Sequence, residues 1–162
     1  MKKIFYILVI FLFKINIAYS LIEVDITRGN LDPLPIAVSP LHVDPQSDDY
    51  KDAKTKELGG LISSVVEKNF KSTGLFNPLN KDAFVQKPDI AHLKPRFEDW
   101  SLITAQALVT GKLLIKDEKL KIEFRLWDVA ANKEMIALAF TTTPSNWRRV
   151  AHIISDKIYE RL

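Results

Sequence analysis

The chain contains no cysteine in its 162 residues. Disulfides and a lipidated cysteine are therefore excluded, and an oxidising compartment neither helps nor threatens the fold. Histidine is almost as scarce. His42, His92 and His152 share no metal-ligand spacing, so no metal site is expected. Glycine is sparse too, and Gly59-Gly60 has no Lys-Ser/Thr after it, so no phosphate-cradling loop is expected either. Nothing in the pattern calls for a cofactor. A charge excess is likewise missing from most of the chain. The formal net charge is +3, but Lys2, Lys3 and Lys14 carry all of it, and 20 basic residues then face 20 acidic ones. A neutral chain lacks the electrostatic footprint of a nucleic-acid binder. The acidic pairs Asp48-Asp49 and Glu98-Asp99 are adjacent in loops, where carboxylates solvate or cap rather than exchange protons with a substrate. His152 and Asp156, four apart on a helix, read as a surface contact and not a dyad. No residue is assigned a catalytic role, and an interaction module is expected rather than an enzyme.

Long apolar runs are limited to one. Ile4–Phe13 follows Lys2 and Lys3, and Ala18-Tyr19-Ser20 supplies small residues where a signal peptidase cuts. Residues 1–20 are therefore expected to be a cleavable signal peptide, with residues 21–162 forming one periplasmic domain. The run is short for a bilayer span and no second one follows, so no membrane insertion is expected after cleavage. Lys14 interrupts the pattern, and an uncleaved amphipathic anchor is the alternative.

What is present is clearest near the C-terminal end. From Lys119 to Trp127, Leu120, Ile122, Phe124 and Leu126 alternate with Lys119, Lys121, Glu123 and Arg125, which specifies an antiparallel strand with one wet face. Gln106–Lys116 and Glu134–Thr142 read as its neighbours, linked through Asp117-Glu118 and Ala130–Lys133. Such a meander needs a lid. Pro144-Ser145-Asn146 starts one, with Trp147, Val150, Ala151, Ile154, Ile158 and Leu162 at helical spacing. Trp147 heads that stripe, so its removal is expected to cost about 3–5 kcal/mol. Arg148-Arg149 oppose the helix dipole, and an internal salt bridge to Asp99 or Glu98 is expected ahead of an acidic partner surface.

Upstream, Ile36-Ala37-Val38, apolar on both faces, predicts a buried central strand. Leu41–Tyr50 reads as loop. A helix is predicted from Lys54 to Ser72, with Leu58, Leu61, Ile62, Val65, Val66 and Phe70 on one side and Gly74 as its stop. Gly59-Gly60 inside it implies either a frayed start or a close backbone approach. Leu75–Leu79 then completes a βαβ-like opening, and Lys81–Phe97 reads as a long surface connection. The fold class is α/β: a mixed sheet containing an antiparallel three-strand meander, with helices packed on it.

Ahead of this body, Ile22, Val24 and Ile26 alternate with Glu23, Asp25 and Thr27 before the turn at Arg28-Gly29-Asn30. The segment can be an edge strand of its own domain, or can add itself to a partner's sheet.

Several blocks in order carry a resemblance. Pro35–Val38, Leu58-Gly59-Gly60, Ser72–Leu79, Glu98-Asp99-Trp100, Gln106–Gly111, Glu123–Val129, Pro144–Ile154 and Ile158–Leu162 resemble the N-terminal domain of the TolB family, the periplasmic component of the Tol–Pal envelope system. The resemblance implies a mixed-sheet α/β domain and a part in outer-membrane invagination during cell division and in outer-membrane integrity. It also implies that the segment following signal cleavage, Leu21 to about Asp32, reaches TolA. The contact residues would be Leu21, Ile22, Glu23, Val24, Asp25, Ile26, Thr27 and Arg28. Family members continue past Glu160-Arg161-Leu162 into a β-propeller that carries the Pal-docking surface. No blade-length repeat occurs here, so propeller and Pal contact are expected to be missing. A truncated or split TolB without full function, a stand-alone periplasmic adaptor and a small-ligand binder are the alternatives.

Overall fold

The computed structural model describes residues 32–162. The expected signal peptide and the segment Leu21–Arg28 lie outside the described residues.

Strand β1 (Leu34–Val38) is buried at the middle of the sheet, with Ile36, Ala37 and Val38 shielded from solvent on both faces. Pro35 brings no N–H to a ladder, but its carbonyl accepts from Gln106 N at 2.9 Å. Two strands flank β1 in parallel: β3 (Phe76–Pro78) and β4 (Ala107–Lys116). β4 then runs antiparallel to β5 (Lys119–Asp128), and β5 to β6 (Lys133–Thr142). The order is β3-β1-β4-β5-β6, with the two-residue β2 (His42–Val43) on β4 beyond the end of β1. The mixed sheet and the meander thus match the expectation from sequence.

The β4–β5 hairpin closes through only Asp117-Glu118, with φ of 51° and 59°. Two left-handed central residues match the twist of the flanking strands, although neither residue is the usual glycine or asparagine.

Helix α1 (Ala53–Thr73) starts at Asp52, whose carboxylate accepts from Lys54 N, and stops at Gly74 with φ 71°. It buries Leu58, Ile62, Val66 and Phe70 against the same sheet face as Leu120, Ile122, Phe124 and Leu126. Leu61, expected on that stripe, is 45% exposed instead. Gly59 resolves the two readings of the glycine pair. A Cβ there would lie 1.9 Å from the Leu41 carbonyl oxygen, so the missing side chain is what admits the backbone of the segment between β1 and β2. Gly60 meets nothing.

Leu41–Tyr50 is more ordered than its polarity suggests. Past β1, it replaces the strand along β4. Asp48 N donates to Ile115 O at 2.7 Å, Ser47 Oγ accepts from Ile115 N, and Asp48 Oδ2 accepts from Asp117 N at 2.9 Å. Backbone groups left by the short β1 thereby find partners.

Helix α4 (Trp147–Tyr159) follows a 3₁₀ turn at Pro144–Asn146 and packs Val150, Ala151, Ile154 and Ile158 beside α1. The ends of its predicted stripe differ: Trp147 is only half-buried, with Arg148 stacked on its ring, and Leu162 is exposed.

The opposite sheet face is covered by residues 81–105, which are not merely a surface connection. They contain a 3₁₀ turn (Lys81–Ala83), α2 (Pro88–Ala91) and α3 (Phe97–Leu102). Trp100 and Ala91 pack there on Ala37, Leu108 and Val129. Buried Gln86 ties the segment together. Its Oε1 accepts from Trp100 Nε1 and Arg96 N, and its Nε2 donates to Lys94 O.

Candidate interaction surfaces

Three polar constellations stand out on the described body, and residues far apart in sequence build each one. The first is a pair of imidazoles. β2 presents His42, the turn after α2 presents His92, and the rings stack at 4.5 Å between centroids, tilted by 8°. His92 Nδ1 is 3.0 Å from Pro88 O, and Arg125 Nη1 donates to His92 O. Burial and the neighbouring His92 hold the His42 pKa below its ordinary value of 6.5; Lys112 adds to this, while Asp44 and Asp89 oppose it. With fifty positions between them, the two histidines show no local spacing that sequence reasoning could have caught.

The second centres on Lys81. Its Nζ lies 3.1 Å from Glu67 Oε1 and donates to Ser63 Oγ and Ser64 Oγ at 3.2 and 3.3 Å. Both serine hydroxyls donate to Gly60 O. With their protons committed to a backbone carbonyl, these serines serve as a brace between α1 and the 3₁₀ turn. Burial raises the Glu67 pKa, and the attraction of Lys81 opposes it.

The third lies on the wet sheet face. Glu123 sits between Lys121 at 2.6 Å and Lys112 at 3.9 Å, and Arg125 Nε pairs with Glu134 at 3.0 Å. The hydrogen bond from Lys121 lowers the Glu123 pKa.

Between β2, α1 and α2 runs an open groove of about 890 Å³, lined by Leu61, Val43 and Tyr50 together with Lys56 and Lys87. Lys56 Nζ lies 5.9 Å from the Tyr50 ring centre. Convergent buried polar groups of the kind that orient a small ligand do not line it.

Asp99 pairs with Arg96 at 2.6 Å, and among the described residues neither Arg148 nor Arg149 makes an ion pair, so the expected internal bridge is not formed. Arg148 is held by its stack on Trp147 at 4.7 Å. α3 and α4 pack on opposite faces of the sheet, so Asp99 lies out of reach of Arg148 and pairs locally with Arg96 instead. His152 Nδ1 contacts Asn69 Nδ2 at 2.9 Å, which joins α4 to α1. Among the described residues no cluster of three or more His, Asp or Glu could hold a metal ion. No described helix is long and apolar enough to cross a membrane.

Comparison with known proteins gives consistent relatives. The TolB amino-terminal domain family matches residues 22–135. The Tol-Pal system protein TolB of Pelagibacter ubique (strain HTCC1062) is 64% identical over 159 residues, which is 97% of this chain and 36% of that protein. The chain thus spans about a third of the length of that relative. Among solved structures, TolB from Acinetobacter baumannii superposes with a TM-score of 0.61 at 18% identity, over 80% of this chain and 28% of that one. The LpoB C-terminal domain from Escherichia coli gives 0.50 at 6% identity, over 68% and 82%. At such identities the two structures speak for the fold alone. The family match covers residues 22–135, from the N-terminal segment to the start of β6 and well over half of the sequence, and on that ground the chain belongs to the TolB amino-terminal domain family.

Proposed function

We propose that the protein is a periplasmic, non-enzymatic component of the Tol–Pal system and that Leu21–Arg28 is its contact with TolA. The observation that carries this reading is the 64% identity to a Tol-Pal system TolB along 97% of the chain. The segment itself supports the mode of contact. Ile22, Val24 and Ile26 offer one apolar face and Glu23, Asp25 and Thr27 a polar one, so the segment can add a strand to a partner sheet. Main-chain hydrogen bonds would supply much of the affinity and the aliphatic side chains the specificity. The body is then a carrier for the arm. Export by removal of residues 1–20 places residues 21–162 in the periplasm, where the protein serves outer-membrane invagination during division and outer-membrane integrity. Contact with Pal is assigned to the propeller of the family and not to this domain.

The test is a calorimetric titration of the mature protein against the C-terminal domain of TolA, repeated with Leu21–Asp32 deleted. Binding that disappears with the deletion, while circular dichroism stays the same, supports the arm. Equal binding by both forms moves the contact to the body, and no binding by either defeats the assignment to TolA.

A further inference from the structure

β6 ends the sheet. Among the described residues it pairs only with β5, so the other side of a ten-residue strand presents unpaired backbone N–H and C=O groups. Such an edge is ordinarily blunted by charge, proline, bulges or shortness. β3, at the opposite edge, follows that rule: it has three residues and ends in Pro78. β6 does not. Met135–Thr142 contains no charged residue and no proline. Its one irregularity falls at Met135, where Leu126 faces Ile136 but Trp127 faces Glu134. Beyond it, Ala137, Leu138 and Ala139 are exposed, and Leu138 is 40% accessible although it lies on the apolar side of the sheet, opposite Phe124.

We propose that this edge pairs with the same edge of a second copy, antiparallel, about a twofold axis through Leu138. The strand is complementary to itself in that register. Leu138 meets Leu138 of the other copy, Ile136 meets Phe140, and Ala137 meets Ala139. Side chains that face the apolar side thus meet apolar partners, and small ones meet small ones on the wet side. Charge fits as well. The paired stretch Ile136–Phe140 carries no charge, and Glu134, beyond the bulge, is already neutralised by Arg125 at 3.0 Å, so no like charges are opposed. The five residues from Ile136 to Phe140, clear of the bulge, give about 17 Å of regular shared edge at roughly 3.4 Å per residue. The pairing extends the meander in its own antiparallel sense and covers Leu138. A twofold contact closes on itself, so growth stops at two copies.

Sedimentation of the full protein over a range of concentrations tests this, together with two substitutions. Leu138→Glu places like charges at the axis and leaves the hydrogen-bonding of β5 untouched, so the dimer should dissociate with the circular dichroism spectrum unchanged. Leu138→Cys exploits the cysteine-free background. Mild oxidation should give a covalent dimer quickly, while Ala131→Cys, in the exposed β5–β6 turn, should not. A monomer at all concentrations overturns the proposal. A dimer indifferent to Leu138→Glu, equal cross-linking from both cysteine positions, or open-ended oligomers overturn it too.

Discussion

At the scale of single residues, the most consequential side chain is one that is absent. Gly59 and Gly60 are adjacent in the same helix, yet only at Gly59 would a Cβ strike backbone, 1.9 Å from Leu41 O. Gly59→Ala should destabilise the fold by about 1–3 kcal/mol, because the helix must move off the β1–β2 segment. Gly60→Ala should stabilise it by roughly 0.5–1 kcal/mol through helix propensity. Urea denaturation of the two variants measures the difference, and equal effects would mean that the close approach is not rigid. His42 sets a pH dependence. Its pKa is depressed in the fold, so the unfolded chain binds more protons around and below 6.5. The stability it contributes is present above that value and is lost as the pH falls through the lower, folded-state pKa. Burial drives the loss, His92 and Lys112 add to it, and Asp44 and Asp89 moderate it. His42→Phe keeps a stacked ring without the proton and should flatten the acid side of the stability–pH profile, read as Tm at a series of pH values. An unchanged profile would show that His42 does not titrate with unfolding.

At the scale of elements, two tryptophans separate packing from position. Trp100, on the short α3, is shielded and bonded to Gln86, whereas Trp147, at the head of α4, is half-open under Arg148. Trp100→Ala should therefore cost about 3–5 kcal/mol and Trp147→Ala clearly less, about 1–2 kcal/mol, with thermal melts deciding the order. The larger value belongs to a residue that no apolar period in the sequence marks. The difference shows what was legible. β5, α1 and α4 announce themselves because each has one apolar face repeated at period 2 or 3.6, and a local pattern is enough; β4 and β6 read as apolar stretches joined to β5 by short polar links. β1 is legible as a continuous apolar run. Residues 81–105 carry no such period: their order comes from Gln86, which bridges positions 94, 96 and 100, and from Ala37 and Leu108 far along the chain. β2 is hidden for a related reason, since its hydrogen bonds go to β4 and its polar residues serve that edge. Arg148-Arg149 misled in the opposite sense. Their charge suits Asp99, but α3 lies over the other face of the sheet, where Arg96, three positions away, takes it at 2.6 Å.

At the scale of the whole molecule, the body offers braces, a stacked histidine pair and an open sheet edge, while the contact proposed for TolA lies in the alternating segment Leu21–Arg28. Such a contact depends on sequence and extended backbone more than on the fold behind it, so the arm and the body are separable in principle. A change that weakens the body, such as Gly59→Ala, should leave TolA affinity nearly unchanged under conditions where the protein stays folded. The most direct measurement follows from the same separation: titration of a synthetic peptide covering Leu21–Asp32 into the C-terminal domain of TolA, beside the mature protein. The peptide should bind within about tenfold of the protein, a difference of roughly 1.4 kcal/mol that ordering a free segment can supply. A peptide that fails to bind while the protein binds would contradict it, because recognition would then need the folded surface.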